Sequence, residues 1–460
     1  MKLKIIAPIA AACLAAVPGA VAQADNTNFI SRPLSLLDCL NIALRHNASI
    51  LEAQRDLKAS QGIVIQTRAV ALPQLSVNGQ YKDTERTAIE SFGPPASSGG
   101  PAFSISPPVQ NWNGDVQLVQ AIYSGGRLAA AWQAAGVTRK QAAAQYDTAV
   151  AGALLDTRLA YYDVLLANQQ ITVQEASVTL LQKELEDQQN RYQAGTVPHF
   201  NVLRAEVALA NEQPALIQAR NNFRIAKNNL ANLLGYNLPR DIWEDVPLNL
   251  SGSLDDRPCP VNLPDAIRQA LAHRTELTAL RETERLRQLN VVNARSGYKP
   301  DVSVFAGYGW KNSQFVDPGD LAYTLHGWNA GAQVSWDIFD GWLTRGKVVQ
   351  AQALYKKSQI SLADEARQIE LQVRTAYSQF VEAGEVLDSQ KKVQEEAEEA
   401  LREAEARATA GTGTQLDVLD AQTSLTQART TQIQALHDYD TARARLERAM
   451  GEDMIRAGAK

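Results

Sequence analysis

Residues 36–46 read LLDCLNIALRH, and residues 263–273 read LPDAIRQALAH. The correspondence continues without a gap, so that residues 36–81 match residues 263–308. A second block repeats at a slightly different spacing and ends at Gly235 and Gly451. The chain therefore consists of two copies of one unit. Repeated units bury their apolar surface by packing against their neighbours.

Each copy contains one very long helix-forming stretch. Residues 127–193 and 343–409 contain no proline and are rich in alanine, leucine, glutamine and glutamate. At ~1.5 Å per residue, a helix of this length spans roughly 100 Å. Both stretches end in Ala-Gly-Thr, where glycine is the expected left-handed helix stop. We expect the chain to turn there and to return through helices over residues 198–234 and 414–450.

The segments between the helices have the period of two that β-strands require. We expect β-hairpins over residues 72–124 and 299–341. In residues 328–338 the apolar side chains alternate with polar or small ones, and eleven residues suit a strand that spans a membrane. A soluble, half-buried sheet is the alternative. The residues expected to face lipid are Trp328, Ala330, Ala332, Val334, Trp336 and Ile338.

Four strands are too few to close a barrel, for which about eight is the practical minimum. An open sheet in lipid would leave its edge backbone groups unpaired. If these strands cross a membrane, several chains must therefore share one barrel.

The remaining sequence predicts the domain organisation of an exported protein. Residues 1–22 have the pattern of a secretory signal, with a lipoprotein signal at Cys13 as the alternative. Residues 23–245 form the first repeat, 246–262 a linker, 263–451 the second repeat and 452–460 a tail. After cleavage Cys39 and Cys259 remain, either as a disulfide or as two separate thiols.

The chain lacks the signals of an enzyme or of a nucleic-acid-binding protein. Its formal net charge is −5, which argues against binding to nucleic acid. The segment from Gly341 to Lys347 imitates a phosphate-binding loop, but Val348 stands where that loop needs Ser or Thr. The five histidines show no metal-binding spacing. We expect no catalytic residue, no metal and no cofactor.

The chain resembles the TolC family of outer-membrane efflux ducts. The resemblance is carried by the repeated order of elements, by the strand-to-helix corners at residues 122–127 and 338–341, and by the turn at residues 410–422. It implies a mainly α fold with transmembrane β-strands. Three identical chains would share a twelve-stranded β-barrel in the outer membrane of a Gram-negative bacterium, and a barrel of long helices would cross the periplasm below it.

The resemblance also implies where the functional residues lie. The turns at Gly195 and Thr196 and at Gly411 and Thr412 would form the periplasmic tip and contact an adaptor. Asp417 and Asp420 would line a closed entrance, although two solvated carboxylates at a helix start are the simpler alternative. The chain departs from the family pattern at three positions that brace the gate, namely Asn201, Gly413 and Ala408.

The function implied is a passive exit duct. A periplasmic adaptor (membrane fusion) protein and an inner-membrane pump of the RND or ABC type would supply cargo and energy, and outer-membrane lipid would surround the strands. The outer-membrane component of a type I protein secretion system is the alternative. A soluble periplasmic coiled-coil scaffold is a more remote one.

Overall fold

The computed structural model describes residues 33–85, 110–236, 246–254, 257, 260–312 and 324–452. The expected signal segment, Cys13, Cys259, the two hairpin connections and nearly all of the tail lie outside these residues. The described elements, in chain order, are α1 Leu36–His46, α2 Ala48–Ala69, β1 Gln74–Asp83, β2 Gln110–Ser124, α3 Arg127–Gln193, α4 His199–Leu233, α5 Leu263–His273, α6 Thr275–Ser296, β3 Asp301–Lys311, β4 Leu325–Ser335, α7 Leu343–Thr409 and α8 Gln415–Ala449.

The two long helices dominate the molecule. α3 and α7 each contain 67 residues, which gives each a length of about 100 Å. Both are followed by a glycine with positive φ, 70° at Gly195 and 75° at Gly411. A residue with a Cβ rarely adopts this left-handed conformation, so glycine allows the chain to reverse. The helices α4 and α8 then return along α3 and α7 for 35 residues each.

Two apolar clusters lie near the middle of the long helices. The first joins α1, α3, α4 and the linker, and Leu34 and Leu230 are fully buried in it. The linker is held there because the backbone of Leu34 pairs with Asn249 and Ser251. The second cluster joins α5, α7 and α8 around Ile369. Full burial of each such aliphatic side chain contributes about 1.5–3 kcal/mol.

Cys39 is buried in the first cluster. Burial raises the pKa of its thiol to about 12. The thiolate is the reactive form of cysteine, so this side chain behaves as a small apolar residue.

A buried ion pair joins the two helical hairpins. Arg158 on α3 donates to Glu447 on α8 at 2.5 Å, and both residues are almost completely buried, with 3% and 6% of their surface exposed. Arg443 donates to the other carboxylate oxygen at 3.0 Å. The Arg158 guanidinium also donates to the hydroxyl of Tyr162. Loss of one partner from such a pair leaves a buried charge without compensation, so removal of either residue would destabilise the contact between α3 and α8.

The four described strands form one antiparallel sheet in the order β1-β2-β3-β4. Residues directly opposite each other in such a sheet lie on the same face. Val77 is opposite Val116, Val116 is opposite Tyr308, and Tyr308 is opposite Trp328. One face is therefore apolar across all four strands. The other face carries polar groups, and Asn78 donates there to the carboxylate of Asp115 at 3.1 Å.

The expected end of the last strand is wrong. β4 ends at Ser335, so Trp336 and Ile338 lie beyond it. The reason is the neighbouring strand: β3 begins at Asp301, which is opposite Ser335, and no later ladder partner follows within the described sheet. Trp336 instead donates through its indole nitrogen to the carbonyl oxygen of Tyr298 at 3.2 Å.

Candidate functional site

The two helix turns come together at the end of the molecule farthest from the sheet. The side chain of Gln415, at the start of α8, donates to the backbone carbonyl of Asn201 on α4 at 3.1 Å. An apolar cluster behind the turns contains Leu401, Val418 and Leu425, with Leu180 of α3 packed against it. The two hairpins are therefore in direct contact at their tips.

Asp417 caps the helix α8. Its carboxylate accepts from the backbone N–H of Thr414 at 2.9 Å and from the hydroxyl of Thr414 at 2.8 Å. The Thr414 hydroxyl in turn accepts from the N–H of Asp417, which completes a capping box. These hydrogen bonds, chiefly the one from the Thr414 backbone, lower the pKa of Asp417. Within one chain Asp417 is thus an ionised helix-start carboxylate.

Asp420 lies on the same exposed face as Asp417. Residues three apart on a helix are neighbours on its surface. The intervening Val418 and Leu419 are buried. The two carboxylates therefore lie on the opposite, exposed side of α8. The structure places both acids together at the tip, and their role in gating remains a prediction.

The three positions predicted to brace the gate make backbone or apolar contacts. Asn201 contributes its backbone carbonyl. Gly413 donates through its N–H to the carbonyl of Arg407 at 3.0 Å. A Cβ on Gly413 would come within 3.0 Å of Arg407 and Ala408, so the tight turn restricts any side chain here. Ala408 packs beside the apolar cluster at the tip.

A cleft of about 720 Å³ lies between the tips and is lined from both hairpins. Three glutamine side-chain oxygens on its walls are buried without a hydrogen-bond partner among the described residues, those of Gln188, Gln415 and Gln422. Gln188 and Gln422 each have only 4% of their surface exposed. A buried acceptor without a donor costs about 1–3 kcal/mol. The sequence analysis missed these residues, because glutamine is also an ordinary helix former.

The apolar face of the sheet is open in the single chain. Val77 on β1 has 75% of its surface exposed, and Trp328 on β4 has 79%. A continuous exposed apolar surface of this kind marks a protein or membrane contact. The predicted residues Trp328, Ala330, Ala332 and Val334 share this face, since each is opposite a residue of the apolar side of β3.

The described residues contain no group of three or more His, Cys, Asp or Glu side chains arranged to hold a metal ion. Within the same residues, every helix is too short or too polar to cross a membrane.

The fold, the cleft between the helix tips and the exposed apolar face of the small sheet define a class of long-helix protein. A family model described as "Outer membrane efflux protein" matches residues 39–236 and 266–452. The outer membrane protein TolC of Escherichia coli (strain K12) is 23% identical over 441 residues, which cover 92% of this chain and 83% of TolC. The alkaline protease secretion protein AprF of Pseudomonas aeruginosa is 26% identical over 288 residues, which cover 62% of this chain and 59% of AprF.

A solved structure of the Campylobacter jejuni CmeC outer membrane channel has the same fold. It has a TM-score of 0.75 at 16% sequence identity and covers 92% of this chain and 89% of CmeC.

The chain belongs to the outer membrane efflux protein family, because the family model spans most of its length. The resemblance to the TolC family is confirmed. The chain is therefore an outer-membrane efflux channel that extends into the periplasm, rather than a soluble periplasmic scaffold.

Proposed function

We propose that three copies of this chain form a passive exit duct, with a shared twelve-stranded β-barrel in the outer membrane and a barrel of long helices in the periplasm. The observation that carries this proposal is the four-stranded sheet, whose apolar face is exposed across all its strands. Lipid is the environment that such a face suits. Three sheets supply enough strands to close a barrel and leave no edge unpaired.

The two-copy organisation is part of this proposal. Helices α3 and α7 have equal lengths, as do α4 and α8. The family model also matches the chain twice. Three chains with two similar units each would form a barrel with nearly sixfold symmetry. The boundaries of the two repeats at residues 23–245 and 263–451 stay a prediction.

The tips would receive a periplasmic adaptor protein. The cleft between them offers buried amide oxygens that find no donor among the residues the structure describes, so a partner that inserts Arg, Lys or amide N–H groups would satisfy them. The adaptor would connect the duct to an inner-membrane pump of the RND or ABC type. The duct itself needs no catalytic group or cofactor, since the pump supplies the energy.

A type I protein secretion system is the second candidate function. The match to AprF, a protease secretion protein, favours it. The match to TolC covers a larger share of both chains. The cargo would be set by the pump, so the same duct serves either system.

The experiment that tests the duct is single-channel recording in a planar bilayer, with the oligomer mass measured on the same detergent-extracted sample. We expect a trimer with a small, cation-selective and mostly closed conductance. A monomer that gives no conductance would contradict the proposal. Co-purification with candidate adaptors from RND and ABC systems then separates drug efflux from protein secretion.

A further inference from the structure

The corner between β4 and α7 exposes a continuous apolar and aromatic surface. Ile338, Phe339, Trp342 and Leu343 have between 57% and 84% of their surface exposed. The corner follows the last strand of the sheet, whose apolar face is proposed to meet lipid, and α7 begins at its end. In the proposed duct this surface therefore lies at the boundary between the membrane and the periplasm.

Trp342 has a backbone conformation that favours glycine. Its φ is 70°, and no other residue with a Cβ has positive φ in the part of the chain that the structure describes. The repeat that aligns Trp112 with Trp328 aligns Trp342 with Gly126, whose φ is 101°. Glycine would adopt this conformation without strain. The strained tryptophan therefore indicates a contact that the fold of a single chain does not supply.

The exposed ring of Trp342 is accompanied by a second ring and by a cation. The ring of Phe339 meets it edge-on, with 6.0 Å between the centroids. The guanidinium carbon of Arg345 lies 5.2 Å from the centroid of the Trp342 ring. Arg345 has no carboxylate partner among the described residues, and the nearby carboxylate of Asp340 accepts instead from the N–H of Thr344 at 2.7 Å. The guanidinium thus keeps N–H donors for a partner outside the chain.

The corresponding corner of the first repeat shows that a neighbouring unit would not cover this surface. That corner lies against the end of α6, where a Cβ on Gly125 would come within 2.8 Å of the carbonyl oxygen of Ser296. Even so, Ile122 and Tyr123, which align with Ile338 and Phe339, have 58% and 45% of their surface exposed. The position stays open when a neighbour is present, so lipid is the partner that remains.

The first repeat lacks both the second ring system and the free cation. Gly126 and Ala129 stand at the positions of Trp342 and Arg345. Its own arginine, Arg127, is paired with the carboxylate of Asp301 at 3.2 Å. The combination of an exposed tryptophan and an arginine without a carboxylate partner therefore occurs at one of the two corners of each chain.

We infer that Phe339, Trp342 and Arg345 bind the phosphate group of an anionic membrane lipid, with one site in each chain. This inference rests on the proposed duct and adds a lipid headgroup site to it. Tryptophan favours the interface between the membrane and water, arginine forms paired hydrogen bonds with phosphate, and basic residues beside a bilayer attract anionic lipids. A trimer would hold three such lipids rather than six, because the site belongs to the second repeat.

Native mass spectrometry of the detergent-extracted trimer, titrated with phosphatidylglycerol, tests the site. We expect three lipids to bind before any others. Arg345→Gln should weaken their binding about fivefold, the effect of one basic residue near an anionic lipid surface. The matched control is Arg367→Gln, which removes the same charge about 33 Å farther along α7, where Arg367 is exposed and paired with Asp364.

Trp342→Gly separates lipid binding from a role in the fold. Since glycine relieves the strained backbone, the unfolding temperature in lipid-free detergent should not fall, whereas phosphatidylglycerol binding should weaken. A lower unfolding temperature with unchanged lipid binding would show that the tryptophan serves packing, and would overturn the site.

Two further ligands identify what the site recognises. A diacylglycerol with the same acyl chains but no phosphate should bind weakly, and inorganic phosphate should not displace phosphatidylglycerol. Equal binding of the diacylglycerol overturns the assignment to phosphate, and displacement by inorganic phosphate overturns the assignment to lipid. A trimer whose lipid binding is equal in Arg345→Gln and Arg367→Gln overturns this inference alone. A sample without trimers overturns the proposed duct as well.

Discussion

At the residue scale, His437 on α8 ties the two hairpins together. One ring nitrogen lies 2.9 Å from the carboxylate of Asp163 on α3, and the other lies 3.0 Å from Asp438. Burial lowers the pKa of His437, but the hydrogen bonds to the two carboxylates outweigh burial and raise it overall. Folding therefore favours the imidazolium form of His437 relative to an unfolded histidine. The contact joins the same two helices as the buried pair of Arg158 and Glu447.

This geometry predicts a pH-dependent contribution to stability. Because the folded pKa is raised, the contribution is fully present below the pKa of an unfolded histidine and is lost as pH rises through the folded pKa. The carboxylates of Asp163 and Asp438 are more than half exposed, which limits the effect to about 0.5–1 kcal/mol. His437→Gln should therefore lower the unfolding temperature more at about pH 5.5 than at about pH 8.5.

Thermal unfolding of the detergent-solubilised protein measures this difference. His273→Gln is the matched control, since His273 is exposed and its ring nitrogen lies 3.1 Å from a carbonyl of its own helix. An equal loss of stability at both pH values for His437→Gln would show that the histidine contributes by packing alone.

At the element scale, the proposed duct requires neighbouring residues of β4 to face lipid and the lumen in turn, because successive side chains of a strand point to opposite faces. Ala332 is opposite Val304 on the apolar face, and Gln333 is opposite Ser303 on the polar face. Ala332→Lys should impair membrane assembly, because a lysine at the bilayer midplane costs about 2–4 kcal/mol. Gln333→Lys should be tolerated.

The yield of heat-resistant trimer in outer-membrane extracts compares these two variants. They differ by one position in the same strand, so general effects of the lysine cancel. If Ala332→Lys assembles as well as Gln333→Lys, the apolar face does not meet lipid.

At the scale of the whole molecule, the proposed trimer would bring the tip carboxylates of three chains together. One chain presents two acids on one exposed face, and threefold symmetry would bring six to a narrow opening. We expect Asp417→Asn with Asp420→Asn to reduce cation selectivity and resistance to block by multivalent cations. The capping box also loses charge, so helix stability must be measured alongside.

The matched control neutralises Glu382 and Glu385, two exposed acids three residues apart in the middle of α7. These side chains lie about 36 Å along the helix from its tip. Single-channel recordings measure the cation selectivity of both variants. Unchanged selectivity in the tip variant, or an equal change in the control, would remove Asp417 and Asp420 from the gate.

The sequence by itself determined the features that depend on neighbours along the chain. Proline-free stretches and glycine stops specify α3 and α7, because helix continuation and reversal are decided within a few residues. Alternation of apolar and polar side chains specified the strands and their faces for the same reason. The repeat was visible because equivalent positions kept the same residues, such as the Ala-Gly-Thr turns at residues 194–196 and 410–412.

The tertiary structure decided the features that depend on residues far apart in the chain. β4 ends at Ser335 because its neighbour begins at Asp301, which no local pattern encodes. Arg158 meets Glu447 across 289 positions, and the unpaired oxygens of Gln188 and Gln422 gain significance only when two hairpins bury them. Burial and pairing are properties of the surroundings, so they emerge only when the distant elements are brought together.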